Sequence, residues 1–324
     1  MSELRFDGQV VIITGAGRGM GRSHAIFLAG RGASVVVNDI GCDIFGNKVD
    51  TSPAEDVVNE IKRAGGTALL NTDSVATKEG CQALVDKTIR QFGRVDALVH
   101  NAGINYKTPF PEITQHDLDA NFNVHYFAAV YLTQGAWPYF VKQGGGSVVY
   151  MCSDGTFGNP TFADYSSAKM AGVGLMRTLY LEGAEYGIRV NSLSVGAATR
   201  MWEDTMSPAH LAWGRKYYPP IAVSQVVSWL IHPDNPTSGE WYGVDGYTVF
   251  RVALAVNEGY TKLNYTLEDI RDNWGKVNAL ENFTYPRSTG ELFGNCVGKL
   301  IAAGAEPMPT NADFGTGIRK TGEE

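Results

Sequence analysis

Val10-Val11-Ile12-Ile13-Thr14 runs without a break into Gly15-Ala16-Gly17-Arg18-Gly19-Met20-Gly21 and then into a helix-length segment. An apolar, β-branched run of this length reads as a strand covered on both faces, the condition of a parallel sheet. Glycines at 15, 19 and 21 let the backbone turn tightly and come close to a pyrophosphate, whose charge would face the helix N-terminus. Glycine is common in turns, so the loop alone says little. Its place after the first buried strand makes it a candidate dinucleotide loop.

Further runs of the same kind lie at 34–38, 67–71, 97–101, 147–152 and 189–194, with amphipathic, helix-length segments between them. One of those segments has a clear start, with Ser52 as N-cap, Pro53 at the first helical position and Glu55 three residues after the cap; Gly65-Gly66 supplies its stop. The alternation predicts an α/β fold, a doubly wound parallel sheet of the Rossmann kind. It fails after Ala197. Residues 201–218 are aromatic-rich and irregular apart from a helix start at Ser207-Pro208, and they predict a substrate-covering lid around 197–218. A helix at 224–230 and a strand-like segment at 240–244 complete the sheet. Residues 1–260 therefore form the main domain. Residues 261–324 form a helical C-terminal extension, with a capped helix from Thr266 through Leu280 and a frayed end at 310–324.

Composition narrows the function classes. The chain has 324 residues, 44% hydrophobic and 19% charged, which is ordinary for a globular protein with a sizeable core. A net charge of −7 with no cluster of Lys and Arg argues against nucleic acid as a partner. No apolar stretch reaches the roughly 18 residues of a membrane helix, and the N-terminus lacks the marks of a secretory signal. Cys42, Cys81, Cys152 and Cys296 are scattered without a C-x-x-C pair, and the six histidines form no ligand pair. Reduced thiols, a cytoplasmic location and no metal are the expectations.

The chemistry-bearing residues fall at the carboxyl ends of the expected strands, where ligands bind in such sheets. Asp39 ends the second strand. A carboxylate there accepts both ribose hydroxyls of NAD and repels the extra phosphate of NADP. Arg18 in the glycine loop pulls the other way, and Asp39 outweighs it because a carboxylate buried against a phosphate costs more than a flexible arginine gains. Asp73 is a candidate for the adenine edge. Asn101-Ala102-Gly103 closes the fourth strand. Tyr165 and Lys169 stand one helical turn apart, so both face the same way. A phenol is a poor base at neutral pH, but an adjacent ammonium and a cationic nicotinamide favour its phenolate. Such a tyrosine can take an alcohol proton while hydride leaves carbon.

In this order, T-G-A-G-R-G-M-G at 14–21, N-A-G at 101–103 and Y-x-x-x-K at 165–169 resemble the short-chain dehydrogenase/reductase family over roughly residues 6–259. Within it, the chain is similar to the dehydrogenase part of peroxisomal multifunctional enzymes of type two, also known as 17β-hydroxysteroid dehydrogenases. F-D-G-Q-V-V at 6–11, V-V-V-N-D-I-G at 35–41 with an insertion through Ser52, A-A-T-R-M at 197–201, L-E-D-I-R-D-N-W at 267–274 and A-L-E-N at 279–282 carry that likeness. The hydratase and sterol-carrier parts have no counterpart, so a free-standing dehydrogenase is expected.

The resemblance implies Tyr165 as acid/base, Lys169 as its electrostatic partner and ribose ligand, and Gly15, Gly19 and Gly21 as the phosphate loop, with NAD as cofactor. The family's helix asparagine is replaced by His125, a subgroup feature or a bystander. The substrate-orienting serine usually lies 13 residues before the tyrosine, where Cys152 stands; Ser153 takes the role if one residue is deleted after it, and a hydroxyl is the stronger donor. Val195 stands where the family usually has Pro. The substrate is expected to be a 3-hydroxyacyl-CoA, covered by Trp202, Trp213, Tyr217 and Tyr218, with Arg200, Arg215 and Lys216 near the CoA phosphates. A free steroid alcohol is the alternative, and a silent nucleotide-binding protein the alternative from another class. A homodimer or homotetramer is expected through the helices 123–143 and 162–185.

Overall fold

A computed structural model describes residues 3–47, 50, 52–200 and 207–308. The chain divides into two compact units, Met1–Val252 and Ala253–Glu324. The boundary expected at residue 260 falls inside the second unit. The reason is that a further strand closes the first unit at Val252.

The first unit is built on one sheet of eight strands: β1 (Val10–Thr14), β2 (Ser34–Asn38), β3 (Thr67–Asn71), β4 (Ala97–His100), β5 (Gly146–Met151), β6 (Ile188–Gly196), β7 (Trp241–Asp245) and β8 (Thr248–Val252). Their order is β3-β2-β1-β4-β5-β6-β7-β8. Neighbours pair in parallel through β7, and β8 returns antiparallel to β7. The β7–β8 hairpin went unforeseen although Asp245-Gly246 is a strong turn signal. Gly246 takes φ +59° at the first central position of the two-residue loop.

Helices cover both faces. On one lie α1 (Gly19–Gly30), α2 (Ser52–Arg63) and α8 (Pro220–Ile231); on the other lie α3 (Lys78–Phe92), α5 (Ala128–Gln143) and α6 (Ala163–Gly183). Alternate strand residues serve the two faces. Val11, Ile13, Val35 and Val37 pack toward Leu28, Val57 and Val227, while Ile12, Val36 and Leu98 pack toward Leu84, Leu132 and Met176. This double coverage is why the strands read as unbroken apolar runs. α4 (Gln115–Phe122) runs into α5 through a π-turn at Asn123–Phe127. α7 (Pro208–Tyr217) starts at Ser207, whose side chain accepts from the His210 N–H. Met201–Met206 of the expected lid, with Trp202, lies outside the described residues.

The second unit carries α9 (Leu267–Asp272), α10 (Trp274–Val277) and α11 (Thr289–Ala302). The single helix expected from Thr266 to Leu280 has the foreseen cap, a reciprocal Thr266–Asp269 pair, but is interrupted at Asn273. The Asn273 side chain donates to the Asp269 carbonyl, the competition with helix that asparagine brings.

Candidate active site

Strand order decides where the site lies. The chain leaves β1 toward β2 and β3 and later resumes on the other side with β4, so a crevice opens at the carboxyl ends of β1 and β4. The glycine loop and Asn101-Ala102-Gly103 meet there. Gly15 has φ +63°, and a Cβ on it would lie 2.8 Å from the Ala102 Cα; a Cβ on Gly21 would lie 2.2 Å from the Gly15 carbonyl oxygen. Only glycine fits at either position. Thr14 Oγ1 accepts from the Asn101 and Ala102 N–H groups, and Asn101 Nδ2 donates to the Thr14 and Gly15 carbonyls. The two strand ends are thereby locked together above a cavity of about 380 Å³.

Asp39 lines that cavity. Its Oδ2 accepts from the Gly17 N–H at 2.9 Å and its Oδ1 from the Gly41 N–H at 2.7 Å. The carboxylate is held facing the groove, and each oxygen keeps a further lone pair for a ligand hydroxyl. Arg18 also lines the cavity, its Nη1 donating to the Cys42 carbonyl at 3.4 Å. Asp73 accepts from Asn71 Nδ2 at 2.7 Å, and the wall at this end is made by Ser74, Val75 and Ala76.

At the other end of the cavity stand Tyr165 and Lys169, 7% and 4% exposed. Lys169 Nζ donates to the Met151 carbonyl at 2.7 Å and lies 5.7 Å from the Tyr165 ring centre. Burial lowers its pKa to about 8. Burial also pushes the Tyr165 phenol up to about 12, against the lowering expected from Lys169, because enclosure outweighs the hydrogen bond with the Ser153 side chain that opposes the rise. Ser153 is therefore the side chain brought to the phenol. Cys152 also lines the cavity, but its Sγ points toward the Lys169 carbonyl at 3.9 Å, and burial raises the thiol.

His125 sits in the π-turn, fully enclosed. Nε2 lies 2.8 Å from the Ile104 carbonyl oxygen and 3.4 Å from the Ile104 nitrogen, and the shorter contact favours the proton on Nε2. The ring meets Tyr165 edge-on at 5.1 Å, and burial lowers its pKa well below the usual value, so it is neutral. Sequence reading missed what lies behind this cluster. Asp164 is buried, takes the Tyr165 N–H on Oδ1 at 2.8 Å and accepts from Asn121 Nδ2 on Oδ2 at 2.8 Å. A carboxylate in the first turn of α6, directly before Tyr165, was the available signal.

On the lid side, Trp213 contacts Tyr217 and Tyr218 at ring distances of 5.2 and 5.3 Å. The Tyr218 carbonyl accepts from the Ala198 N–H, and its hydroxyl donates to Asp245 Oδ2 at 3.4 Å. Arg200 lines the cavity; Arg215 and Lys216 lie in the last turn of α7. Among the described residues no group of three or more His, Cys, Asp or Glu is placed to hold a metal ion. Among them too, no helix is long and apolar enough to cross a membrane.

A glycine cradle at a sheet switch point, with a buried tyrosine and lysine beyond it, defines an oxidoreductase that uses a nicotinamide dinucleotide. Residues 9–208 match the short chain dehydrogenase family, and the chain belongs to it. It is 40% identical over 295 residues to the peroxisomal hydratase-dehydrogenase-epimerase of Neurospora crassa, covering 90% of this chain and 32% of that protein. The full-length peroxisomal multifunctional enzyme type 2 of Drosophila melanogaster superposes with a TM-score of 0.77 at 26% identity, over 92% of this chain and 50% of that one. The chain thus spans a third to a half of these relatives. A 7α-hydroxysteroid dehydrogenase, solved with NADH and 7-oxo glycochenodeoxycholic acid, superposes with a TM-score of 0.68 at 31% identity, over 76% of this chain and 97% of that one.

Proposed function

We propose that this chain is an NAD-dependent dehydrogenase that oxidises a 3-hydroxyacyl-CoA to the 3-ketoacyl-CoA in fatty-acid or sterol side-chain β-oxidation. The observation that carries the reading is the Tyr165 and Lys169 pair at one end of a cavity whose other end holds Asp39, with the Ser153 side chain hydrogen-bonded to Tyr165. The glycine cradle and the fixed Asp39 carboxylate fit a dinucleotide, and NAD, when bound, supplies the hydride acceptor. The buried Tyr165 phenol is by itself protonated at neutral pH, and the positive charges of bound NAD and Lys169 would favour its phenolate, which takes the proton of the substrate hydroxyl. Ser153 donates to the same oxygen and fixes its position. Lys169 holds positive charge beside the phenol and has N–H groups left for ribose hydroxyls. His125 packs against the Tyr165 ring and fixes its angle. Asp39 selects NAD over NADP.

Oxidation at a carbinol two carbons from a thioester accords with the relatives whose names carry hydratase and dehydrogenase together. A free steroid alcohol is the second reading, favoured by the likeness to the hydroxysteroid dehydrogenase. Cytoplasmic action is part of the proposal, and fractionation tests it against the peroxisome in the relatives' names. The deciding experiment compares kcat/KM for a 3-hydroxyacyl-CoA, the same acyl group on a short thioester carrier and a steroid alcohol, each with NAD and with NADP. The CoA substrate with NAD is expected to be best. A steroid alcohol in first place overturns the substrate, and a preference for NADP overturns the role of Asp39.

A further inference from the structure

The insertion after β2 has no part in the chemistry described above, yet it forms a wall of the same cavity. Residues 42–47 fold on Asp43, whose carboxylate accepts from the Phe45 and Asn47 N–H groups, both at 2.9 Å, and from Asn47 Nδ2 at 3.1 Å. This compact loop reaches the segment after β4. The Ile44 carbonyl accepts from the Asn105 N–H at 3.0 Å, and the Phe45 carbonyl accepts from the Tyr106 hydroxyl at 2.6 Å. The Phe45 and Tyr106 rings lie 6.1 Å apart, and Tyr106 leans on His116 at a ring distance of 6.0 Å.

Sheet order gives these contacts their meaning. β1 lies between β2 and β4, so a loop that leaves β2 and fastens beyond β4 must cross the carboxyl end of β1, where the glycine loop stands. Cys42, Phe45 and Tyr106 line the same cavity as Gly15, Asp39 and Gly103. Resting on the dinucleotide reading above, we propose that residues 42–47 are a strap across the dinucleotide groove, latched by Tyr106, and that the latch sets how fast the dinucleotide enters and leaves. Tyr106 acts through the strap and is a positioning residue.

A latch and a simple contact predict different kinetics. A latch is a barrier in both directions, so loosening it speeds binding and release together. A contact made only with the bound molecule slows release and leaves binding alone. The test is stopped-flow fluorescence with NADH on the full chain, as wild type, Tyr106→Phe and Tyr106→Ala. Tyr106→Phe, which loses the bond to the Phe45 carbonyl and a long 3.5 Å contact with His116 Nε2, is expected to raise both rate constants about fivefold, with Kd nearly unchanged. Tyr106→Ala, which also loses both ring contacts, is expected to raise them roughly tenfold or more. Unchanged rates, faster release with unchanged binding, or slower binding in either variant would overturn the strap. Wild-type protein that binds no NADH at all would instead overturn the dinucleotide reading on which it rests.

Discussion

Tyr165 and Lys169 are enclosed almost completely, and the burial of the Lys169 ammonium costs stability. Lys169 falls from its usual 10.5 to about 8. Its folded pKa is the lower one, so the unfolded chain holds the proton more tightly. The cost is full below pH 8, shrinks as pH rises toward 10.5 and is gone above it. Lys169→Met removes that cost but also a charge-assisted hydrogen bond to the Met151 carbonyl, of about 1.5–3 kcal/mol. The variant is expected to compare more favourably with wild type at pH 7 than at pH 10, because the cost it removes is present only at the lower value. Denaturant unfolding at both values checks this, and a difference from wild type that is the same at both values contradicts it. At the same scale, Ser153→Ala is expected to lower kcat far more than Cys152→Ala, because the hydroxyl and not the thiol reaches the phenol. Steady-state rates with both variants folded decide it, and the reverse ranking contradicts it. The sequence made Tyr165, Lys169 and Asp39 legible because spacing and strand ends fix them. Asp164 and Asn121 were hidden because a buried support is defined by a contact between distant elements, and no local pattern records it.

Elements were legible where their physics is local. Doubly covered strands and the Thr266 cap could be read from neighbouring residues. The hairpin partner β8 could not, because Thr248, Val249 and Phe250 are exposed at the sheet edge and show none of the apolar continuity of the inner strands. The joint between α1 and α8 was equally invisible. There His24, wholly buried, lies with Nδ1 2.8 Å from Ser224 Oγ, which in turn reaches Ser23 Oγ at 2.8 Å. Burial lowers His24 to about 3, so it is neutral at physiological pH. Ser224→Ala leaves Nδ1 without a partner in an apolar joint, and a loss of about 1–3 kcal/mol is expected in denaturant unfolding. A change below about 0.5 kcal/mol, the scale of an ordinary surface substitution, would show that the joint is held by packing alone.

At the scale of the whole molecule, α5, α6 and the π-turn before α5 leave Phe127, Val141, Met170 and Leu181 exposed on the first unit. Apolar side chains spread over two long neighbouring helices favour association with a second copy, and a homodimer or homotetramer is expected. Light scattering at micromolar concentration checks this, and a monomer would contradict it. The sheet order, with its switch between β1 and β4, opens the crevice in which the site lies, and the alternation of strands and helices makes that architecture legible in the sequence. In the proposed mechanism Tyr165 moves the substrate proton in an NAD-dependent oxidation. The direct measurement is NADH formation from a 3-hydroxyacyl-CoA by wild type and Tyr165→Phe, paired with NADH binding to both. A loss of turnover of at least roughly 100-fold is expected, with nearly unchanged binding. A Tyr165→Phe variant that keeps more than about a tenth of wild-type turnover, against the loss expected of a general acid/base, would contradict it.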